Sequence, residues 1–254
     1  MALSSTGVYK YCLGVLCVLC GFVVAAQPAE QDVRFTIKSN GRDRTYRVFV
    51  PEDFGKSGPG PAVVLFNGSG SPVDGLMDPW KEIARKEGVM LIDPEAFRSG
   101  AWRIPEDSPD FTQEVVASAL SKFPIDQRRV YLFGHSGGAG HVLLLGLLES
   151  EYFAAVGAHA SALRPEDRRL LDVPKRKMPM KIWIGTEDAM VPIKAVRETL
   201  AVLTAKGFPA EVSELRGHTH SYGERGAATT AEAWEFLKPH ALPADPVFYK
   251  YSFK

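Results

Sequence analysis

The sequence predicts an α/β protein in which a mostly parallel central sheet carries helices on both faces and an antiparallel hairpin on its N-terminal edge. Three observations carry this expectation. From residue 61 to residue 238, short apolar runs alternate with longer segments of helical periodicity, the rhythm of strands joined by crossover helices. The first of these runs, "PAVVLF" (61–66), is unbroken, as expected of a strand covered on both faces. Ahead of them, "VRFTIKSNGRDRTYRVFVPE" alternates apolar and polar residues around Asn40-Gly41, a pair suited to the positive backbone angles of a two-residue hairpin turn.

After the hairpin, "PAVVLF" (61–66) reads as a buried strand that opens into the loop Asn67-Gly68-Ser69-Gly70-Ser71. A helix is expected over 78–86, with Pro79 in its first turn and Gly88 as its stop, followed by a strand at 89–94. Ser108-Pro109 caps a helix reaching residue 122, 129–134 is a strand, and 138–150 a helix. Strands at 153–160, 180–185 and 210–215 follow, with helices near 164–172, 192–205 and 227–238. No repeat, low-complexity tract or linker interrupts this order, so one domain is expected over 27–254. Its tail, 239–254, is rich in proline and aromatics and should pack irregularly on the body or reach out as an arm.

The 254-residue chain has 45% hydrophobic content, enough to bury a sizeable core, and its 30 basic and 30 acidic residues cancel. With no basic stripe to track a phosphate backbone, nucleic acid is not expected as a partner. The first residues, "MALSSTGVYKYCLGVLCVLCGFVVAAQPAEQ", place Lys10 before an uncharged run from Tyr11 to Ala26 and then turn polar. That is the anatomy of an export signal, with Val24 and Ala26 as the small residues before a cleavage site after Ala26. The alternatives are an uncleaved membrane anchor, for which sixteen residues fall short of the ~20 a span needs, and lipid attachment at Cys17 or Cys20. Cleavage leaves a periplasmic or secreted domain, without stable membrane insertion, holding 29 basic against 30 acidic residues. Cys12, Cys17 and Cys20 all leave with the leader, so disulfides, a cysteine nucleophile and thiolate metal sites are not expected.

Gly134-His135-Ser136-Gly137-Gly138 matches G-x-S-x-G between an expected strand and an expected helix. A serine on so sharp a turn has a strained backbone, tolerable only when the residues two before and two after lack bulk, and the turn lifts its Oγ above the sheet. The helix N-terminus then aims unpaired N–H groups where an oxyanion would form. A serine nucleophile needs a base and an orienting acid. Of six histidines, His135, His141, His159 and His240 read as packed or solvated rings. His218 and His220 remain, in "LRGHTHSYGER" after the last strand, where the chain order Ser, Asp, His puts the base. His220 is favoured because an aromatic residue follows two positions on and Gly217 lets the loop turn; His218 is the alternative base. For the acid, "MKIWIGTEDAMVP" offers Asp188 in a tight exit from a strand, in preference to Glu187, which is expected to be solvated, and to Asp172 at a helix end.

Together, "PAVVLFNGSGSP", "IDQRRVYLFGHSGGAGH", "IWIGTEDAMVP", "GHTHSY" and "AEAWEFL" resemble, in order and spacing, the α/β-hydrolase superfamily and its secreted esterases related to polyhydroxybutyrate depolymerases and feruloyl esterases. The resemblance spans the whole chain after the leader. It implies the α/β-hydrolase fold, a Ser136–Asp188–His220 triad, an oxyanion hole from the backbone N–H groups of Ser69 and Gly137, and no metal or organic cofactor. One departure is Asn67-Gly68, where such esterases place His-Gly; the oxyanion contact is a backbone one, and Asn67 can still hydrogen-bond to hold the loop. The implied substrate is a carboxylic ester, feruloyl, acetyl or hydroxyalkanoate in type, either small or borne on a polymer. Only about twenty residues separate the strand ending near 160 from the one starting at 180, so no large lid is expected. Trp102 and Tyr222 are candidate pocket walls. A serine peptidase acting on short peptides and a non-catalytic binding protein are the alternatives.

Overall fold

The hairpin turns at Asn40-Gly41, where both residues adopt positive φ, 49° and 75°. It joins β1 (Gln31–Ser39) to β2 (Arg42–Val50), paired antiparallel with Ser39 opposite Arg42. The computed structural model describes residues 29–70, 74–98 and 101–251, so the leader and its three cysteines lie outside the described residues. β2 pairs antiparallel with β4 (Met90–Pro94). From there the sheet is parallel: β3 (Gly60–Phe66) lies between β4 and β5 (Ile125–His135), and β6 (Val156–His159), β7 (Met180–Gly185) and β8 (Ala210–Leu215) follow in turn. The eight strands run in the order β1-β2-β4-β3-β5-β6-β7-β8.

Alternation along each strand divides the core between the two faces. Ala62, Val64 and Phe66 of β3 join the cluster containing Phe111 and Val115 of α2 (Pro109–Leu120), Val142 and Leu143 of α3 (Gly137–Leu148) and Val196 of α4 (Ile193–Ala205). Val63 and Leu65 join the cluster of Met77 and Trp80 of α1 (Asp74–Glu87) with Ala233 and Trp234 of α5 (Gly226–Leu237). Each Val, Leu, Met or Phe among them, fully buried, contributes about 1.5–3 kcal/mol, so the strand ends that carry the loops are rigidly held. α3 is buried from Gly138 to Leu148, the pattern of a helix apolar on every side.

Three elements differ from expectation. α1 begins at Asp74, so Pro79 sits inside it, at the cost of the hydrogen bond its missing N–H would have made; burial of Met77 and Trp80 offsets this. The segment near 164–172 forms only the 3-10 turn Pro165–Leu170, and β5 starts at Ile125. Between β6 and β7 that short turn is the sole helical element, which leaves the C-terminal edge of the sheet without a helical lid at this crossing. The tail packs on the body: Leu242 N–H donates to the Arg128 carbonyl at 2.9 Å and the Tyr251 hydroxyl to the Leu148 carbonyl at 2.6 Å. Among the described residues no helix is long and apolar enough to cross a membrane.

Candidate active site

Ser136 stands between β5 and α3 with φ 53° and ψ −117°, a backbone strained for any residue with a side chain. Glycine on either side makes the turn possible. A Cβ on Gly134 would strike the backbone of Gly138, and one on Gly138 would strike the carbonyls of Phe66 and Asn67. The Ser136 N–H donates to the His159 carbonyl at 2.9 Å, which ties the turn to β6 and leaves the side chain half-exposed above the sheet.

His220 reaches this serine from the loop after β8, with its Nε2 2.8 Å from Ser136 Oγ and its Nδ1 2.8 Å from Asp188 Oδ2. Since the carboxylate oxygen accepts, Nδ1 carries the proton, and Nε2 is left to accept from the serine hydroxyl. Asp188 lies in the turn after β7, its carboxylate inaccessible to solvent; its other oxygen accepts the N–H groups of Met190 and Val191, each at 2.8 Å. The turn and the histidine loop are stitched by backbone: Glu187 N–H donates to the His218 carbonyl at 3.0 Å and Gly217 N–H to Thr186 Oγ1 at 2.8 Å. Ser136, Asp188 and His220 are thus brought together. His218 is not: its ring is 6% exposed and turned to His159, with Nε2 atoms 3.3 Å apart. Glu187 is exposed, and Asp172 pairs with Lys206 at 2.7 Å on the surface.

On the opposite side of Ser136, Gly137 opens α3 and lies against Ser69, whose side chain a Cβ on Gly137 would strike. The first N–H groups of a helix have no partner within it, so this corner offers donors to an anion. Asn67 organises the approach. Its Nδ2–H donates to Asp93 Oδ1 at 2.8 Å, its Oδ1 accepts Leu76 N–H at 3.2 Å, and its carbonyl accepts Trp102 Nε1–H at 2.8 Å. Asp93 is wholly buried, and burial pushes its carboxyl well above the usual carboxylate range despite the Asn67 hydrogen bond.

Neither candidate wall is an open surface. Trp102 is 8% exposed, its ring stacked on His141 at 5.3 Å and edge-on to Phe66, so it braces the loop from beneath. Tyr222 is a correction: 5% exposed, it sits in the core against Phe133, His135 and His159, and its hydroxyl bonds Thr230 Oγ1 at 2.6 Å. An aromatic ring next to α5 gains more from apolar burial than from the exposed rim. His141 is packed as expected, and burial drives it down to about 3. Sequence reasoning missed the Asn67–Asp93 pair and the contact of His135 with His159, Nδ1 to Nδ1 at 3.0 Å; the one signal in the sequence was that each histidine stands at or beside the end of an expected strand.

The sheet order and the strand-to-helix serine turn define an α/β-hydrolase fold. The chain belongs to the dienelactone hydrolase family, whose model matches residues 46–238. It is similar, at 29% identity over 94 residues, to a poly(3-hydroxybutyrate) depolymerase of Ralstonia pickettii; the match takes in 32% of this chain but only 19% of that protein. Among solved structures it is similar to a thermostable esterase (TM-score 0.63, 20% identity, 83% of this chain and 63% of that one). It is also similar to a ferulic acid esterase from Anaeromyces mucronatus (TM-score 0.66, 17% identity, 84% and 91%) and to an S-formylglutathione hydrolase from Agrobacterium tumefaciens (TM-score 0.64, 18% identity, 85% and 96%). At these identities the structural likeness is one of fold.

Proposed function

We propose that the protein is a serine esterase that cleaves carboxylic esters by two-step acyl transfer. The single observation that carries this reading is the hydrogen-bonded series Ser136 Oγ, His220 and Asp188, with 2.8 Å at each step. In the first step His220 takes the hydroxyl proton as Oγ bonds to the ester carbonyl carbon. Asp188 holds the ring in the required tautomer and balances the imidazolium. The N–H groups of Gly137 and Ser69 stabilise the oxyanion. His220 then gives its proton to the departing alcohol, leaving an acyl-Ser136, and in the second step it activates a water that releases the acid and restores the serine.

With no helix longer than the 3-10 turn Pro165–Leu170 between β6 and β7 to form a lid, the favoured substrates are esters that dock on an open surface, either small or borne on a polymer. Feruloyl, acetyl and hydroxyalkanoate esters are the proposed range, in keeping with the relatives named above. The leader, residues 1–26, is proposed to direct export and be removed. Hydrolysis of p-nitrophenyl acetate by the purified protein and by Ser136→Ala tests the reaction, and a panel of acyl and alcohol groups then ranks substrates. Ester hydrolysis that falls to background in the folded variant is expected; undiminished turnover would overturn the assignment. Faster cleavage of an aminoacyl-anilide than of the ester would instead make the protein a peptidase.

A further inference from the structure

Three histidines outside the proposed triad form a single hydrogen-bonded chain at the C-terminal edge of the sheet. Strand register sets His135, the last residue of β5, opposite His159, the last of β6. Their Nδ1 atoms are 3.0 Å apart, and the other nitrogen of His159, Nε2, lies 3.3 Å from Nε2 of His218. Beyond it, Nδ1 of His218 faces Glu224 Oε2 at 3.7 Å. His159 is wholly buried. It uses opposite nitrogens for its two neighbours, so the rings form a line and do not converge as a metal cage would require.

A neutral imidazole has one N–H and one lone pair, so a neutral central ring bonds its two neighbours only by donating to one and accepting from the other. The chain therefore has a direction, and the tautomer of each ring sets that of the next. Burial, reinforced by the neighbouring rings, brings His135 down to about 4 and His159 down to about 2, which keeps both uncharged through the neutral range. The groups facing the chain are His220 and Asp188 from the proposed triad, Glu224 at the outer end and Tyr222, whose hydroxyl turns away to Thr230.

This chain meets every segment that carries a triad residue. His135 precedes Ser136 and its ring lies 5.3 Å from that of His220. The His159 carbonyl accepts the Ser136 N–H. His218 stands two residues before His220, and its carbonyl accepts the N–H of Glu187, beside Asp188. Backbone bonds hold the His220 loop to the Asp188 turn, whereas the histidine side chains tie that assembly to the serine turn. We infer that His159 and His218 are positioning residues, and that a histidine chain of fixed tautomers sets the distance between His220 and Ser136. The inference rests on the serine-esterase reading above.

Three measurements test it. In the unmutated protein, long-range ¹H–¹⁵N correlation spectra should show His135, His159 and His218 each in one tautomer; rings averaging between tautomers would overturn the inference. His159→Phe keeps the ring volume and removes both bonds. It should lower kcat for p-nitrophenyl acetate about 10- to 100-fold, as misplacement of a reacting group does, with KM changed less than about twofold. His159→Gln, whose amide reaches the Nε2 position and can bond His218, should recover most of that loss. Wild-type kcat in His159→Phe, or an equal loss in the Phe and Gln variants, would overturn the proposed role. Should His159→Phe fail to fold, His218→Phe, which retains the backbone bonds of the loop, replaces it with the same expected outcomes. Esterase activity that survives Ser136→Ala is a separate result and would overturn the parent reading.

Discussion

The two ends of α3 solve opposite problems with the same backbone. At the N-terminal end, the cap Ser136 makes no side-chain hydrogen bond to the helix, so the first N–H groups stay available and the serine is half-exposed. At the C-terminal end two carbonyls are covered by side chains from outside the helix. The Tyr251 hydroxyl donates to the Leu148 carbonyl at 2.6 Å, and Arg176 donates to the Ser150 carbonyl at 2.6 Å. Glu149 is buried there, accepting Tyr249 N–H at 3.2 Å. Polar groups left unpaired at one end are the means of the proposed chemistry; at the other end they would be a cost, which the tail and Arg176 reduce by pairing two of the carbonyls. The buried middle of the helix couples the two, since it holds the serine turn still against the sheet.

The largest effects are expected at the N-terminal end. Ser136→Ala keeps the backbone donors and removes the nucleophile, so ester hydrolysis should fall by about 10⁵-fold or more with the fold retained. Stopped turnover with an unchanged melting temperature is the expected pair of readings. Asp188→Asn should follow, at about 10³- to 10⁴-fold in kcat, because an amide presenting its NH₂ to Nδ1 selects the wrong tautomer of His220. If Asp188→Asn retained full kcat, the orienting role would be lost.

On the other flank of the same helix end, the proposed oxyanion corner is braced by Asn67. Asn67 joins the β3 loop to Asp93 and, through its carbonyl, to Trp102. Asn67→Ala removes the bond to Asp93 and the acceptor for Leu76 N–H while sparing the carbonyl, so the loop loosens without losing the donors. An intermediate drop of about tenfold in kcat is expected, less than the 10²- to 10³-fold that follows deletion of a donor itself. A loss equal to that of Asp188→Asn would mean that Asn67 does more than hold the loop.

Much of this end was legible in the sequence. Apolar runs and turn residues marked the central strands along the chain because β3, β4 and β6 are buried on both faces, and the hairpin followed from Asn40-Gly41. Ser136, Asp188 and His220 could be named because chain order and loop position narrow the choice to a few residues. What the sequence hid depends on contacts between residues far apart. His135 and His159 looked inert one at a time; only strand register makes them partners. Tyr222 was drawn to the rim by its nearness to His220, whereas the core between the sheet and α5 claimed it. Pro79 was read as a helix start because burial of α1 outweighs the bond it forfeits. At the C-terminal end of α3, Glu149 carried no local signal at all, since what buries it is a tail one hundred residues away.

Glu149 offers the mildest test of the contrast, and it acts on stability instead of rate. Burial is the main cause that raises its carboxyl from 4.5 to about 8, with Asp110 adding to the shift and the Tyr249 N–H opposing it. The helix C-terminus also disfavours a negative charge there. Between these two values the folded protein keeps the proton and the unfolded chain has released it, so protons are taken up on folding. The stabilisation is complete below 4.5 and is lost as pH rises toward 8, at a slope of up to about 1.4 kcal/mol per pH unit. Glu149→Gln carries no such proton. Denaturant midpoints measured from about pH 5 to pH 8 should therefore show the unmutated protein losing stability relative to the variant as pH rises. Parallel curves would mean that Glu149 is ionised in the folded state, and that the tail covers a charge after all.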